Sequence, residues 1–563
     1  MKWIHSVQAP WLLSDRPDAF TLRCWAEPGA FASMRVYYSD PYDYMPGPGK
    51  QLNWAAAEMA PLVETGDYAV WTGEVPVPTR KLAYHFRAED GAGRVFWLGR
   101  KGMTDRQSET DNFRIGYHFG EDRLPAWTGK TVWYQIFPDR FFGGPETGDF
   151  VPTTKNVWGG TLEGIRQRIP YLRELGVTGV YLNPVFSSPS NHRYDTLDYT
   201  QVDARLGTNE DLIRMAEELH RNGLRLMLDG VFNHASDRHP FFQDVKARGD
   251  GSPYRHWFLI HDVQALTAEP AEALTPERMK KAPPYECFAY AACMPKWNTD
   301  FPAVQDYLIG AAEQWTRVLN LDAWRLDVPD EVSPAFLRAF RRRIRAIQPE
   351  CLIIGEIWTD PTGWTQTGLF DGTMDYPLYD AVSRFLLKGD ADAFAFCEAM
   401  NRREGLMTQS MQRNQMLFIG NHDLPRCLTL AGGDAERVRA AWALLCLMDG
   451  EMNLYYGDER AMRGGEDPAN RGVMRWDGQD AALEMERFTR ETLALRARLL
   501  STGLTDIRFE ALSLHTARVR LIRGHTEYAL FLTGGRKAHP LPELPEARLL
   551  LDGERFALWE KSV

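Results

Sequence analysis

Cysteine is scarce and unpatterned in this 563-residue chain: Cys24, Cys287, Cys293, Cys351, Cys397, Cys427 and Cys446 are odd in number and widely scattered. That excludes a disulfide framework and predicts reduced thiols in a cytoplasmic protein. Only Cys287 and Cys293 are near neighbours, and no histidine stands beside them to complete a zinc site. Long hydrophobic runs are missing as well. No stretch of 18 apolar residues occurs, and the opening Met1-Lys2-Trp3-Ile4-His5 lacks an apolar signal region, so neither a membrane span nor export is expected. Positive charge is in deficit, 65 Lys and Arg against 76 Asp and Glu for a net charge of -11. That balance argues against nucleic acid and anionic membranes as partners and suits a neutral substrate. Internal repeats and low-complexity segments are absent too.

What the chain does have is length, aromatics and a change of pattern along its course. At about 150 residues per domain, or about 250 for a barrel, 563 residues predict a multi-domain protein. Phe, Trp and Tyr make up 12% of the chain, and such rings serve sugar stacking as well as cores. Residues 1–122 read as short strands at period two, Ala19 to Trp25, Met34 to Tyr38, Tyr68 to Gly73 and Leu82 to Arg87, which predicts an N-terminal β-sandwich. From Thr131 apolar runs alternate with helical stretches: Val132–Phe137, Val177–Leu182, Leu224–Asp229, Asp322–Asp327, Leu352–Glu356, a weaker Gly368–Met374, Met416–Gly420 and Met452–Tyr456. Eight such runs predict an α/β fold, a closed parallel (β/α)8 TIM barrel over 123–500. Leu162, Ile165, Ile169, Leu172 and Leu175 recur at helical spacing, Thr208 with Asp211 forms a capping-box pattern with Gly223 at the helix stop, and Ser333-Pro334 reads as an N-cap with a first-turn proline. The interval from Asp229 to Asp327 is 98 residues where the next, to Glu356, is 29. The surplus predicts a small subdomain inserted after strand three, at about 234–300. Short strands return at Val519–Ile522 and Tyr528–Leu532, so 501–563 is expected to be a C-terminal antiparallel β-domain.

Two carboxylates, Asp327 and Glu356, close the fourth and fifth runs one βα unit apart, and Asp423 follows in Asn421-His422-Asp423. Strand ends of a barrel meet at one rim, so the three predict a sugar-cleaving site. One carboxylate attacks an anomeric carbon, a second protonates the departing oxygen, and a third steadies positive charge on the ring. Arg325 is two residues before Asp327 and shares its strand face, where it favours the carboxylate anion. Glu356 must instead keep a proton at neutral pH, through burial or the nearby Asp423 anion. A lone Asp or Glu at a strand end is more often a cap or a surface charge, and a lone His more often structural; the constellation outweighs those readings here.

These motifs resemble the α-amylase family, glycoside hydrolase family 13. Asp229-Gly-Val-Phe-Asn233-His234 is similar to its first motif, Trp324-Arg325-Leu326-Asp327 to the second, Gly355-Glu356-Ile357-Trp358 to the third and Asn421-His422-Asp423 to the fourth, each at a strand end and in order. The resemblance implies Asp327 as nucleophile, Glu356 as general acid/base and Asp423 as the third catalytic carboxylate. It implies His234 and His422 as partners of the sugar hydroxyls, Tyr194 as the ring under that sugar, Asp229 as an orienter of Arg325, Trp358 as a further substrate contact, and Asp467 with Arg471 as the grip on the next sugar. Met294-Pro-Lys-Trp297-Asn298 resembles a signature of the neopullulanase, cyclomaltodextrinase and maltogenic amylase group, which implies a substrate contact for Trp297, a carbohydrate-binding-type N-terminal module, and a homodimer formed through it.

Three departures bear on specificity. Trp297 stands where the group has Leu, and Val328-Pro329-Asp330-Glu331 replaces a common Val-Ala-Asn-Glu, which leaves the balance of hydrolysis and transglycosylation, and of α-1,4 and α-1,6 bonds, open. The loop Phe142–Asp149 is poorer in Asn and Asp than the group's calcium loop, and Gly159-Gly160-Thr161-Leu162 stands where the group has Gly-Gly-Asp-Leu, which weakens a calcium site while leaving calcium an open alternative. No cofactor is expected to be required, and no residue is assigned as a metal ligand. The function expected is a retaining glycoside hydrolase for α-1,4 bonds, with α-1,6 bonds left open as further targets, of cyclomaltodextrins, maltooligosaccharides and pullulan, with carboxyl groups about 5 to 5.5 Å apart. The alternatives are an α-glucosidase or glucanotransferase on the same scaffold and, from another class, a non-catalytic α-glucan-binding protein.

Overall fold

The computed structural model of the chain describes all residues except 1, 17, 47–50, 108–109, 116–123, 145–149, 271–272, 366–367, 479 and 563. The expected junction at 122/123, and Glu146 and Asp149 of the loop after the first barrel strand, lie outside the described residues.

Strict alternation builds the N-terminal sandwich. In Ser33–Ser39 the side chains of Met34 and Val36 enter the core while Arg35 faces out, and in Leu82–Glu89 Tyr84, Phe86 and Ala88 do the same. One long strand, Ala55–Glu64, serves both sheets: its first half pairs with Ser33–Ser39 and its second with Ala69–Pro76. The sandwich is tied to the barrel by Arg23, buried, whose Nη1 and Nη2 donate to the carbonyls of Gly405 and Met407 at 2.6 and 2.7 Å.

Eight parallel strands then form the barrel: Val132–Ile136, Gly179–Leu182, Arg225–Gly230, Ala323–Leu326, Leu352–Gly355, Gly372–Thr373, Met416–Leu417 and Glu451–Tyr455. Each falls within or beside an expected run. The sixth and seventh are two residues long, and a parallel bridge from Met374 to Met416 closes the ring between them. Alternation sorts the residues in two directions. Val132, Tyr134 and Ile136 point outward to the helices, as do Leu226, Leu228, Trp324 and Leu326, whereas Trp133, Tyr181, Met227, Ala323, Leu352 and Ile354 fill the interior. Continuing the inward row up the strands leads to Gln135, Asp229, Arg325, Asp327 and Glu356, so the polar site is the uppermost layer of the interior.

The helices follow their sequence signals. Leu162, Ile165, Ile169, Leu172 and Leu175 are all fully buried. Thr208 and Asp211 make both bonds of the capping box, Gly223 follows the helix at φ 74°, and Ser333 caps Pro334–Ile347. The long interval after the third strand folds into short helices, among them Pro240–Arg248, Val263–Ala268 and Pro276–Lys281; the isolated bridge from His234 to Lys296 pins it to the rim, and the one from Cys287 to Pro295 closes it on itself. A five-stranded antiparallel sheet, Leu504–Ala511 to Phe556–Ser562, ends the chain. Among the described residues no helix is long and apolar enough to cross a membrane.

Candidate active site

Strand register sets the centre of the site. Asp229 on the third strand pairs in register with Arg325 on the fourth, so their inward side chains meet. Arg325, fully buried, donates from Nη1 to Asp229 Oδ1 and to Asp327 Oδ1, both at 2.7 Å, and its Nη2 lies 2.8 Å from Glu356 Oε2. One guanidinium therefore holds three carboxylates. Asp229 Oδ2 accepts further bonds from the hydroxyls of Tyr181 (2.8 Å) and Tyr194 (2.9 Å), which favour its anion. Glu356 Oε2 accepts from the Val328 amide at 3.1 Å, and the Tyr376 hydroxyl lies 3.5 Å from Oε1. Val328 points that amide inward from a left-handed backbone, φ 42°, a costly conformation for a β-branched residue and one that clusters at functional sites.

Electrostatics divides the carboxylates. Burial pushes the Glu356 carboxyl up to about 7, with the Asp423 anion adding to the rise and Arg325 opposing it. Burial also drives Asp327 up, with Glu356 and Asp229 adding and Arg325 opposing. A single positive charge cannot hold three anions in a dry pocket, so the cluster keeps a proton near neutral pH. Both carboxyls are raised, and the geometry assigns the proton to Glu356: Asp327 accepts a directed, charge-assisted bond from Arg325 Nη1, whereas Nη2 meets Glu356 at 2.8 Å without one. For Asp423, burial is outweighed by the Nε2–H of His422 and the positive charge of Arg471, which hold it below the usual carboxylate range. Arg471 Nη2 lies 3.3 Å from Asp423 Oδ1, and Arg471 Nη1 lies 3.1 Å from Asp467 Oδ1.

Burial pushes both His234 and His422 down to about 3, so both are neutral. Gln135 Nε2 donates to His422 Nδ1 at 2.9 Å, leaving the proton on Nε2, which faces the Tyr194 hydroxyl and, at 3.2 Å, Asp423 Oδ2. His234 stacks on Phe288 (5.0 Å, 16°), and its Nε2 is buried with no partner among the described residues. A buried orphan nitrogen on a cavity wall is available to a substrate hydroxyl.

These groups surround a cavity of about 510 Å³ lined by His192, Tyr194, His234, Phe288, Met294, Asp327, Val328, Asp330, Glu356, Trp358, His422, Asp423, Asp467, Arg471 and Thr154. The three catalytic candidates, both histidines, Tyr194, Trp358, Asp467 and Arg471 are thus brought together. Trp358, half-exposed, stacks on Tyr376 at 3.9 Å and offers a flat face at the rim. Asp229 and Arg325 sit beneath as holders. Trp297 is a correction. It is 1% exposed, stacked on Phe258 at 4.4 Å with its Nε1 donating to the Tyr199 hydroxyl, so it packs the base of the insert and cannot touch sugar. Pro329 is likewise buried and off the cavity, whereas Asp330 lines it. Sequence reasoning missed Tyr376, His192, Phe288, Met294 and Thr154. Met294 lay inside the Met294–Asn298 signature and His192 two residues before Tyr194; Tyr376, Phe288 and Thr154 carried no local signal.

Residues 135–493 match a family described as alpha amylase, catalytic domain, and residues 2–120 one described as alpha amylase, N-terminal ig-like domain. The chain is 34% identical over 549 residues to a cyclomaltodextrinase of Geobacillus thermopakistaniensis strain MAS1, covering 93% of this chain and 90% of the relative. It is 34% identical over 483 residues to the intracellular maltogenic amylase of Bacillus subtilis strain 168, covering 82% and 78%. A solved cyclomaltodextrinase superimposes with a TM-score of 0.85 at 26% identity, over 100% of this chain and 97% of that one.

Replacing the acid tests the division of labour. We expect Glu356→Gln to lose at least about 100-fold in rate on maltooligosaccharides while retaining glycosylation by an activated aryl glucoside, whose leaving group needs no proton. In the wild type, kcat/KM should fall as pH rises through about 7, where Glu356 gives up its proton. Equal losses on both substrates, or a rate that rises through that range, would contradict the assignment.

Proposed function

Because the chain belongs to the α-amylase family and is a glycoside hydrolase of α-glucans, we propose that it opens cyclomaltodextrins and short maltooligosaccharides, and pullulan in addition, by double displacement with retention. Asp327 attacks the anomeric carbon as Glu356 protonates the departing oxygen. Glu356 then takes a proton from the water that releases the α-product. Asp423 stabilises the positively charged ring, and the neutral His234 and His422 with Tyr194 bind the sugar at the cleavage point. The observation that supports this reading is the shared guanidinium: Arg325 Nη1 donates to Asp327 and Nη2 lies 2.8 Å from Glu356, so both carboxyls face one cation on the wall of the same cavity.

Digestion of β-cyclodextrin, maltotriose, pullulan and soluble starch side by side tests the substrate range, with proton NMR of the first product anomer. The expected result is maltose and glucose, fastest from cyclodextrin and maltotriose, appearing first as the α-anomer. A β-anomer would overturn retention, and long chains without new reducing ends would mark a transferase.

We further propose that the enzyme works in the cytoplasm, without calcium and as a homodimer through the N-terminal sandwich. Seven free thiols and the similarity to an intracellular maltogenic amylase support the location. The chemistry of the described residues supports metal independence. Asp139, the buried carboxylate of the loop after the first strand, is already occupied by Arg140 Nε and the amides of Trp158 and Gly159, and Thr161 Oγ1 caps its helix by accepting from Gly164. Exposed Tyr42, Tyr44 and Met45 on the sandwich support the interface. Sedimentation at twice the monomer mass, and a melting temperature unmoved by EDTA, are expected of one preparation. A monomer, or a melting temperature lowered by EDTA and restored by calcium, would count against these readings.

A further inference from the structure

Thr154 lines the catalytic cavity, yet no motif or chemical role accounts for it. It stands at the tip of a turn that fixes its own shape: Thr153 Oγ1 accepts from the amide of Asn156 at 3.0 Å, Asn156 Oδ1 accepts from the amide of Thr153 at 2.8 Å, and Asn156 Nδ2 donates to the Val151 carbonyl at 2.6 Å. Two buried side chains hold the turn in place. Asn191 Nδ2 donates to the carbonyls of Thr153 (2.9 Å) and Asn156 (2.6 Å), and Arg140 Nη2 donates to the Asn156 carbonyl at 2.9 Å. Arg140 Nη1 donates at 2.9 Å to the carbonyl of Arg471, the residue that reaches both Asp423 and Asp467. The tip and the Arg471 loop are therefore joined through one guanidinium, and the tip is a rigid wall.

Its place in the cavity gives the wall a meaning. Glu356 faces the leaving group, so the half of the cavity with Val328, Asp330 and Trp358 receives it. The half beyond Asp423, with His192, Asp467, Arg471 and Thr154, receives the donor chain. We propose that Thr154 is a specificity-determining residue that closes the donor side, its size setting how many glucosyl units fit beyond the cleavage point; this rests on the α-glucan hydrolase reading above. A side chain at the end of a pocket discriminates by sterics, and differences of about 10- to 200-fold are typical of such contacts.

α-Glucosyl fluoride and α-maltosyl fluoride differ only in the second donor sugar, and their kcat/KM ratio reads the wall directly. In Thr154→Trp the maltosyl-to-glucosyl ratio of kcat/KM should fall about 10-fold or more, and in Thr154→Gly maltoheptaose should release longer products. An unchanged ratio in Thr154→Trp overturns the proposal, including the case where both rates fall together as they would from a general disturbance of the fold. Should the wild type cleave neither fluoride, the hydrolase reading fails. Calorimetry of maltose against glucose then still decides the wall: Thr154→Trp should weaken maltose about 10-fold more than glucose, and equal affinities in variant and wild type overturn it.

Discussion

A single buried cation, Arg325, organises this site. Its two terminal nitrogens bind Asp229, Asp327 and Glu356, side chains from the third, fourth and fifth strands, and the fold delivers all three to it through register and alternation. None of the carboxylates is tenable there alone. Removing one partner of a buried ion pair costs about 3–5 kcal/mol because the remaining charge stays desolvated, and here one partner serves three. The inward row of the barrel, apolar through Trp133, Met227, Leu352 and Ile354, ends in this charged layer and gives it rigid support.

The shortage of positive charge is as important as its presence. Three carboxyls against one guanidinium leave the cluster holding a proton, and Asp423, held as an anion by His422 and Arg471, directs that proton to Glu356. The same burial that raises Glu356 removes charge from His234 and His422, so both imidazoles face the cavity neutral while formal charge stays with Arg325, Arg471 and the carboxyls. The groups proposed as acid, nucleophile and sugar partners thus acquire different protonation states from one low-dielectric pocket.

Most of the framework was legible in the sequence because it follows periodicity. Eight apolar runs, the helix faces and the caps needed only spacing and residue type, and Arg325 two residues from Asp327 already placed both on one strand face. The misses share a physical cause. Trp297 sat in a matching signature, but a signature does not fix which way a side chain points, and the aromatic base of the insert took it. Thr154, Phe288 and Met294 reach the cavity, and Tyr376 reaches Glu356, from loops and the starts of short helices, whose paths are set by long-range contacts such as Arg140 with Asn156 and Trp358 with Tyr376. The left-handed Val328, which aims an amide at Glu356, has no signal in residue type at all.

The account stands most directly on which carboxylate forms the bond to sugar. Trapping the enzyme with a 5-fluoroglucosyl fluoride, followed by proteolysis and mass mapping of the labelled peptide, reads that bond without assumptions about rates. The label should sit on Asp327 alone. A label on Glu356, Asp229 or Asp423, or turnover that never accumulates a covalent species under these conditions, would contradict the sorting of carboxylates around Arg325.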